Sequence, residues 1–300
     1  MFGIAQLWIP FVVLASTGQV LRNAMQRGLT ASLGTVGATN IRFLFGFPFS
    51  LIFLAAVLAV THDPLPTRLP AFWPWLVVGA MAQIVATAMM LAAMNLRSFV
   101  VATAYTKTEP ILAALFGFVF LADQLTFMKT LAIVVATAGV VVTAIKPGGE
   151  KGFGDLKPTL LGLGAAGNFA LSAVGYRGAI LNVQGTTFVT AASFTLVLGL
   201  FLQTVILTIY LLSFDRKTLV AIFRLWKPSM LAGFMGAFAS QFWFLAFALT
   251  AVANVRTLAL IEVLFAQAIS HYSFKQKATA QELAGIALII VGVGLLVAVA

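Results

Sequence analysis

Long apolar runs separated by short polar breaks fill this chain from end to end. The runs cover about Ile4–Gln26, Leu33–Val60, Phe72–Met94, Phe99–Leu121, Phe127–Ile145, Leu156–Tyr176, Thr186–Leu212, Leu225–Leu249, Val255–Phe274 and Thr279–Val299. A helix needs about 20 apolar residues to cross the hydrocarbon core of a bilayer, and each run meets that length. The runs are uniformly apolar and lack the period-two alternation of membrane barrel strands. The breaks carry turn chemistry: Pro64 and Pro66 follow Thr61-His62-Asp63, and Lys146-Pro147-Gly148-Gly149 opens a polar linker that reaches Pro158. The pattern predicts an all-α integral membrane protein with ten transmembrane helices.

The linker lies at the chain's midpoint, and the two sides of it echo each other. Arg27-Gly28 recurs as Arg177-Gly178. Pro74, Gly79, Leu91 and Ala92 recur as Pro228, Gly233, Leu245 and Ala246. Glu109, Ala113, Thr126, Gly139 and Val140 recur as Glu262, Ala266, Thr279, Gly292 and Val293. The order is kept and the offset is nearly constant, as a repeat with small loop insertions requires. The expected organisation is a first five-helix repeat over 1–146, a linker over 147–157 and a second repeat over 158–300. Five spans is an odd number, so the second repeat must insert upside down relative to the first. Inverted repeats are a common construction of secondary transporters, with the site near the midplane between them.

Composition agrees with a lipid solvent: 61% of residues are hydrophobic and 9% charged, and the mean hydropathy is +1.06. The net charge of +10 does not imply nucleic acid, because the Lys and Arg residues sit mainly in short loops, where they act as topology signals and headgroup anchors. One face collects Arg22, Arg27, Arg97, Lys146, Lys151, Lys157, Arg216, Lys217, Arg224, Lys227, Lys275 and Lys277. The other has Arg68, Lys129 and Arg177. The imbalance puts the first face in the cytoplasm of a multi-pass inner-membrane protein and both termini outside. Met1 to Pro10 has no basic segment, so no cleaved leader is expected. The absence of cysteine excludes disulfides, thiolate metal sites and cysteine nucleophiles. No metal site and no cofactor is expected.

Ten spans in two halves resemble the drug/metabolite transporter superfamily, and in particular its EamA-like members. The residues that carry the resemblance close each half. Glu109-Pro110 is followed by Leu121-Ala122-Asp123-Gln124-Leu125-Thr126 and Gly139-Val140. Glu262 is followed by Phe274-Lys275-Gln276-Lys277-Ala278-Thr279, Gly285 and Gly292-Val293. The family pattern has an acidic residue in the turn before Leu-Thr; here Asp123 holds that place in the first half and Gln276 replaces it in the second. The resemblance implies transport, most often export, and termini in the cytoplasm, which is the reverse of the charge count.

Charges inside apolar runs are costly and mark working sites or helix fasteners. They are Arg42, Lys107, Glu109, Arg256 and Glu262, with Arg22 and His271 nearer to helix ends. Tyr105, Thr108, Glu109 and Leu112 share a helical face, and Lys107 points away from Glu109. Pro110 disfavours regular helix at Glu109, so this acid is expected at an irregularity. Glu262 holds the matching place in the other half. The candidate substrate-binding residues are Tyr105, Lys107, Glu109, Trp243, Arg256 and Glu262, and Glu109 and Glu262 are the proton-coupling candidates. Trp243 is either a cavity wall or helix packing. Gln83, Asn95, Asn168, Gln241 and Asn254 either line the path or bond across helices. Gly79, Gly139, Gly233 and Gly292 are expected at close helix contacts.

Leu161–Gly167 contains G-x-G-x-x-G, but no strand precedes it and it falls within a span, so it reads as helix packing. With no ATP-binding motif and no catalytic acid–His cluster, an enzyme is not expected. The reading is a secondary active transporter, by alternating access, for a small zwitterionic or anionic metabolite such as an amino acid, with proton coupling open. Its partners are that small-molecule substrate and membrane lipids, with a monomer as the simplest state. The alternatives are a transporter or flippase for lipids or their headgroups, and a multidrug exporter. The first span has no acid, which argues against cationic drugs.

Overall fold

A computed structural model describes residues 4–67, 69–96, 105–144, 156–263 and 279–299. All regular structure among these residues is helical apart from an isolated bridge residue at 184. The helices are α1 (Trp8–Leu44), α2 (Gly46–Thr61), α3 (Phe72–Leu96), α4 (Glu109–Leu121), α5 (Phe127–Ala144), α6 (Leu156–Leu181), α7 (Phe188–Phe214), α8 (Arg216–Arg224), α9 (Trp226–Leu249), α10 (Val252–Leu258) and α11 (Ala280–Val299). The stretch Trp8–Thr61, α3, α7, α9 and α11 are long and apolar enough to cross a membrane.

Trp8–Thr61 would extend about 80 Å as one straight helix, far beyond a bilayer. Gly34 breaks it. Its φ of +64° and ψ of 179° lie outside helical space, in a region that residues with a Cβ essentially never enter. The break thus falls past the expected gap at 27–32, which is helical, and just inside the expected second span. The expected fourth and ninth spans are described in part, from Tyr105 and up to Val263, and the expectations for His271 and for the turn Phe274–Ala278 lie outside the described residues.

Close helix pairing comes from small residues. α3 packs on α6, α1 on α9 and α5 on α11. At the first pairing, a Cβ on Gly175 would lie 2.7 Å from the backbone nitrogen of Gly79. At the third, a Cβ on Gly139 would lie 2.7 Å from the Gly285 carbonyl oxygen, and one on Gly292 would lie 2.5 Å from Ala136 N. A Cβ on Gly233 would meet Phe45 and Gly46. In lipid, where apolar area alone gives helices no reason to associate, such backbone approach supplies the packing. All four expected glycine contacts are present. Within the G-x-G-x-x-G segment, Gly162 faces Tyr105 and Gly164 faces Met89.

The connection between α7 and α9 is more ordered than expected. Asp215 accepts from the backbone N–H of Thr218 at 3.1 Å and so caps α8. Leu219 and Ile222, one turn apart, are buried, while Arg216, Lys217 and Arg224 stay exposed. α8 thus lies as a short amphipathic helix over the α1 segment at Gly37, which contacts the Thr218 methyl.

Candidate polar site within the membrane helices

The site grows from two helix irregularities. α4 begins at Glu109, directly after a turn at Lys107–Thr108, with Pro110 in its first turn. α10 gives way to a 3-10 turn at Ala259–Ile261, directly before Glu262. Both acids therefore sit where helical hydrogen bonding changes, as expected for Glu109 from Pro110.

Those breaks bring the acids to cations on the opposite side of the linker. Arg256 Nε lies 2.8 Å from Glu109 Oε1. Lys107 forms an ion pair with Glu262. Both acids and both cations are at least 87% shielded from solvent as side chains. Each half of the chain thus gives one acid and one base, and each acid is paired with the base of the other half. Lys107 pairs with Glu262 but lines the same cavity as Glu109, so the expectation that it points away from Glu109 does not hold.

An aromatic wall holds Arg256 in place. Its guanidinium lies 4.5 Å from the Trp243 ring centroid and 5.2 Å from that of Phe247. The two rings are stacked at an interplanar angle of 18°. This is cation–π contact in a desolvated setting, where it is strongest. Trp243 also donates from Nε1 to Gln19 Oε1 at 3.2 Å, so it joins the site as a wall.

Arg22 was assigned above to a loop face near a helix end; the structure corrects this. It lies midway along the first limb of α1, 1% exposed. Its Nη2 and Nε donate to Asn23 Oδ1 at 2.7 and 3.2 Å. Arg42 is 2% exposed and donates to Thr87 Oγ1 at 3.1 Å. A small cavity is lined by Gln19, Arg22, Asn23, Lys107, Glu109 and Arg256, among others. An adjoining one shares Gln19, Phe169 and Arg256 and adds Arg42, Gln83 and Tyr176.

The other candidates divide. Tyr105 is buried but turns toward α6, where its ring meets Gly162 and its hydroxyl accepts from Thr159 at 3.0 Å. Gln83 lines the second cavity and accepts from Tyr176 Oη at 3.2 Å and Gln203 Nε2 at 2.9 Å. Gln241 bonds across helices to Ser193, and Asn95 accepts from Thr30. Asn168 bonds to Gly164 of its own helix and Asn254 to Thr250. Sequence reasoning missed Gln19 and misplaced Arg22. The signal was present: Gln19, Arg22, Asn23, Gln26 and Thr30 form a polar stripe at helical spacing in an otherwise apolar run.

Near the ends of these helices, two polar ties close one side. Arg177, about one turn before the end of α6, donates to the carbonyls of Phe247 and Thr250 and faces Asp123 at 3.3 Å. Asp63 accepts from Thr187 N at 3.0 Å and from the Thr187 and Thr190 hydroxyls, each at 2.6 Å. These residues belong to the connections after the second, fourth, sixth and eighth expected spans.

An all-helical chain with membrane-length helices and a charged internal site has the construction of a membrane transporter. Residues 6–145 match the model of the EamA-like transporter family, in agreement with the family resemblance read from Glu109-Pro110 and the Asp123 turn. One solved structure, titled "Crystal structure of protein", matches 99% of this chain and 97% of its own with a TM-score of 0.69 at 17% identity. At that identity the likeness shows the fold alone. No curated protein sequence matches the chain.

Proposed function

We propose that this chain is a secondary active transporter that exports a small zwitterionic or anionic metabolite, such as an amino acid, by alternating access. The observation that carries this reading is the exchange of acids between halves, Lys107 with Glu262 and Arg256 with Glu109. Charges at membrane depth are costly unless they pair or meet a polar solute. Groups that bind each other across a movable seam are also the groups a solute can part.

The helix pairings support ten spans in two inverted repeats. Numbering the expected spans one to ten, α3 with α6 is span three with six, α1 with α9 is one with eight, and α5 with α11 is five with ten. A shift of five spans exchanges the first two pairings and maps the third onto itself, as a two-fold axis in the membrane plane requires. The substrate would lie on that axis, against Lys107, Glu109, Trp243, Arg256 and Glu262. The excess of Lys and Arg on one set of loops favours that side as cytoplasmic, with the termini outside an inner membrane. Glu109 and Glu262 are the groups that would take a proton if transport is proton-coupled.

Proteoliposomes preloaded with labelled amino acids and organic acids test the reading under an imposed pH gradient. The expected result is saturable efflux that the gradient accelerates, with acceleration lost in Glu109→Gln or Glu262→Gln. Absence of flux for every small solute, with lipid translocation in the same vesicles, would replace it by the lipid-handling alternative.

A further inference from the structure

Six of the eight acidic residues of the sequence lie among the described residues. Asp63 is held by Thr187 and Thr190, Asp123 faces Arg177, Asp215 caps α8, and Glu282 bonds the backbone N–H of Thr279. Glu150 and Asp155 belong to the polar linker before α6. Within the apolar runs this leaves Glu109 and Glu262, which are taken by Arg256 and Lys107. Arg22 and Arg42 therefore have no carboxylate partner among the described residues, and the apolar runs hold no further acid to supply one. An interior charge without compensation is strongly disfavoured.

We propose that Arg22 and Arg42 form an oxyanion subsite, distinct from the two ion pairs, and that the transported substrate carries two negative charges, as a dicarboxylate or a phosphate monoester does. This narrows the substrate class within the proposed function and rests on that reading.

Geometry favours a joint site over two isolated arginines. Both stems cross α9 at Gly236, where an added Cβ would lie 3.1 Å from Arg42 Cγ and 3.4 Å from Arg22 Cδ. Glycine there lets the two side chains run side by side. Each keeps an uncommitted buried donor, Nη1 on Arg22 and Nε on Arg42. Arg22 lines one of the two adjoining cavities and Arg42 the other, and both cavities touch Gln19 and Arg256. Paired guanidinium forks suit carboxylate and phosphate oxygens, which accept two parallel hydrogen bonds. A neutral zwitterion would leave the four cations in excess over the two acids; a dianion balances them.

Calorimetric titration of the purified full-length chain tests this with succinate, inorganic phosphate, alanine and chloride. Succinate or phosphate is expected to bind at least about tenfold more tightly than alanine or chloride. Preference between the first two separates a dicarboxylate from a phosphate-bearing substrate. Arg22→Gln and Arg42→Gln should each weaken the preferred dianion by roughly ten- to hundredfold, the loss of one or two charge-assisted hydrogen bonds. Should those variants fail to fold, Gly236→Ala keeps both charges but displaces the stems, and it should weaken the dianion while alanine is unaffected. Equal affinity for alanine and dianions, or undiminished dianion binding in these variants, overturns the subsite. Alanine efflux that depends on Arg256 without any preference for dianions also overturns it and leaves the transporter reading standing. Absence of flux for every solute overturns both.

Discussion

Replacing Arg256 by Met tests whether the exchanged ion pairs hold the two halves together. Methionine keeps most of the side-chain volume and removes the charge. At the 2.8 Å separation of Arg256 Nε and Glu109 Oε1, Coulomb attraction is about 6 kcal/mol at an effective dielectric of 20, before either group's desolvation is subtracted. Removing one partner of a buried pair costs about 3–5 kcal/mol, because the remaining charge is stranded. Loss of the Trp243 and Phe247 contacts adds roughly 0.5–2 kcal/mol. Lys107 lines the same cavity as Glu109 and gives the stranded acid some compensation, so the expected loss is near 4 kcal/mol.

The double variant Arg256→Met, Glu109→Gln strands no charge and should lose far less than the sum of the two singles. A double-mutant cycle read by equilibrium unfolding in detergent micelles should thus give a coupling energy above about 2 kcal/mol. Additive single losses, or a cost below about 1 kcal/mol for Arg256→Met, would refute the claim that this pair is a desolvated, cohesive contact.

Gly139→Val should be more damaging than its location in an apolar helix suggests, because the new Cβ would meet backbone atoms of α11, Gly285 O at 2.7 Å and Ile289 N at 2.8 Å. Overpacking of this kind costs about 1–3 kcal/mol or more, and a melting temperature equal to wild type would show that α5 and α11 are not in contact there. Asp63 predicts an acid-sensitive tie. Its hydrogen bonds from the Thr187 side chain, then from Thr190 and from the Thr187 backbone, hold its carboxyl below the usual carboxylate range. The folded value lies below the unfolded one, so the stabilisation is complete above about pH 4, the ordinary Asp value, and fades as pH falls through the folded value. Wild type and Asp63→Asn should therefore differ in melting temperature at neutral pH and converge in acid; an unchanged gap across that range would refute the role.

How much of this was legible in the sequence follows from which interactions are local. The irregularity at Glu109-Pro110 and the glycine contacts were readable, because each depends on backbone geometry encoded within a few residues, whereas the break between the first two spans falls at Gly34, past the gap that the apolar pattern marked. Arg22 was misread because charge counting treats a basic residue near a predicted helix end as a loop residue, whereas α1 runs on to Gly34. The stripe Gln19, Arg22, Asn23, Gln26 should have outweighed that count, since a polar face inside an apolar run has to meet something polar. The partners could not be read at all. Lys107 lies far closer in sequence to Glu109 than to Glu262, and nothing local says that it reaches the distant acid. Nor does any spacing reveal that Arg177 reaches the carbonyls of Phe247 and Thr250, or that Trp243 faces Arg256. Those contacts exist only once α4, α6, α9 and α10 have packed.

The same cross-half pairing constrains how a transport cycle of the proposed kind can run. Both central ion pairs bridge the two halves, so any rocking of one half against the other stretches both at once. Each stranded buried pair costs several kcal/mol, and a structure with only those pairs at its centre would stay shut. A substrate that supplies anionic oxygens to Arg256 and Lys107 as their acids withdraw replaces the lost contacts and lowers that cost. With ten spans, the ties at Arg177–Asp123 and Asp63–Thr187 would lie on one membrane side and would have to open for release there. The Asp63–Thr187 tie is exposed, so water can replace each of its hydrogen bonds as it breaks, whereas Arg177 and Asp123 are about as shielded as the central pairs. In the proposed cycle the energetic gate is therefore the set of buried ion pairs, and solute binding is the event that would unlock it.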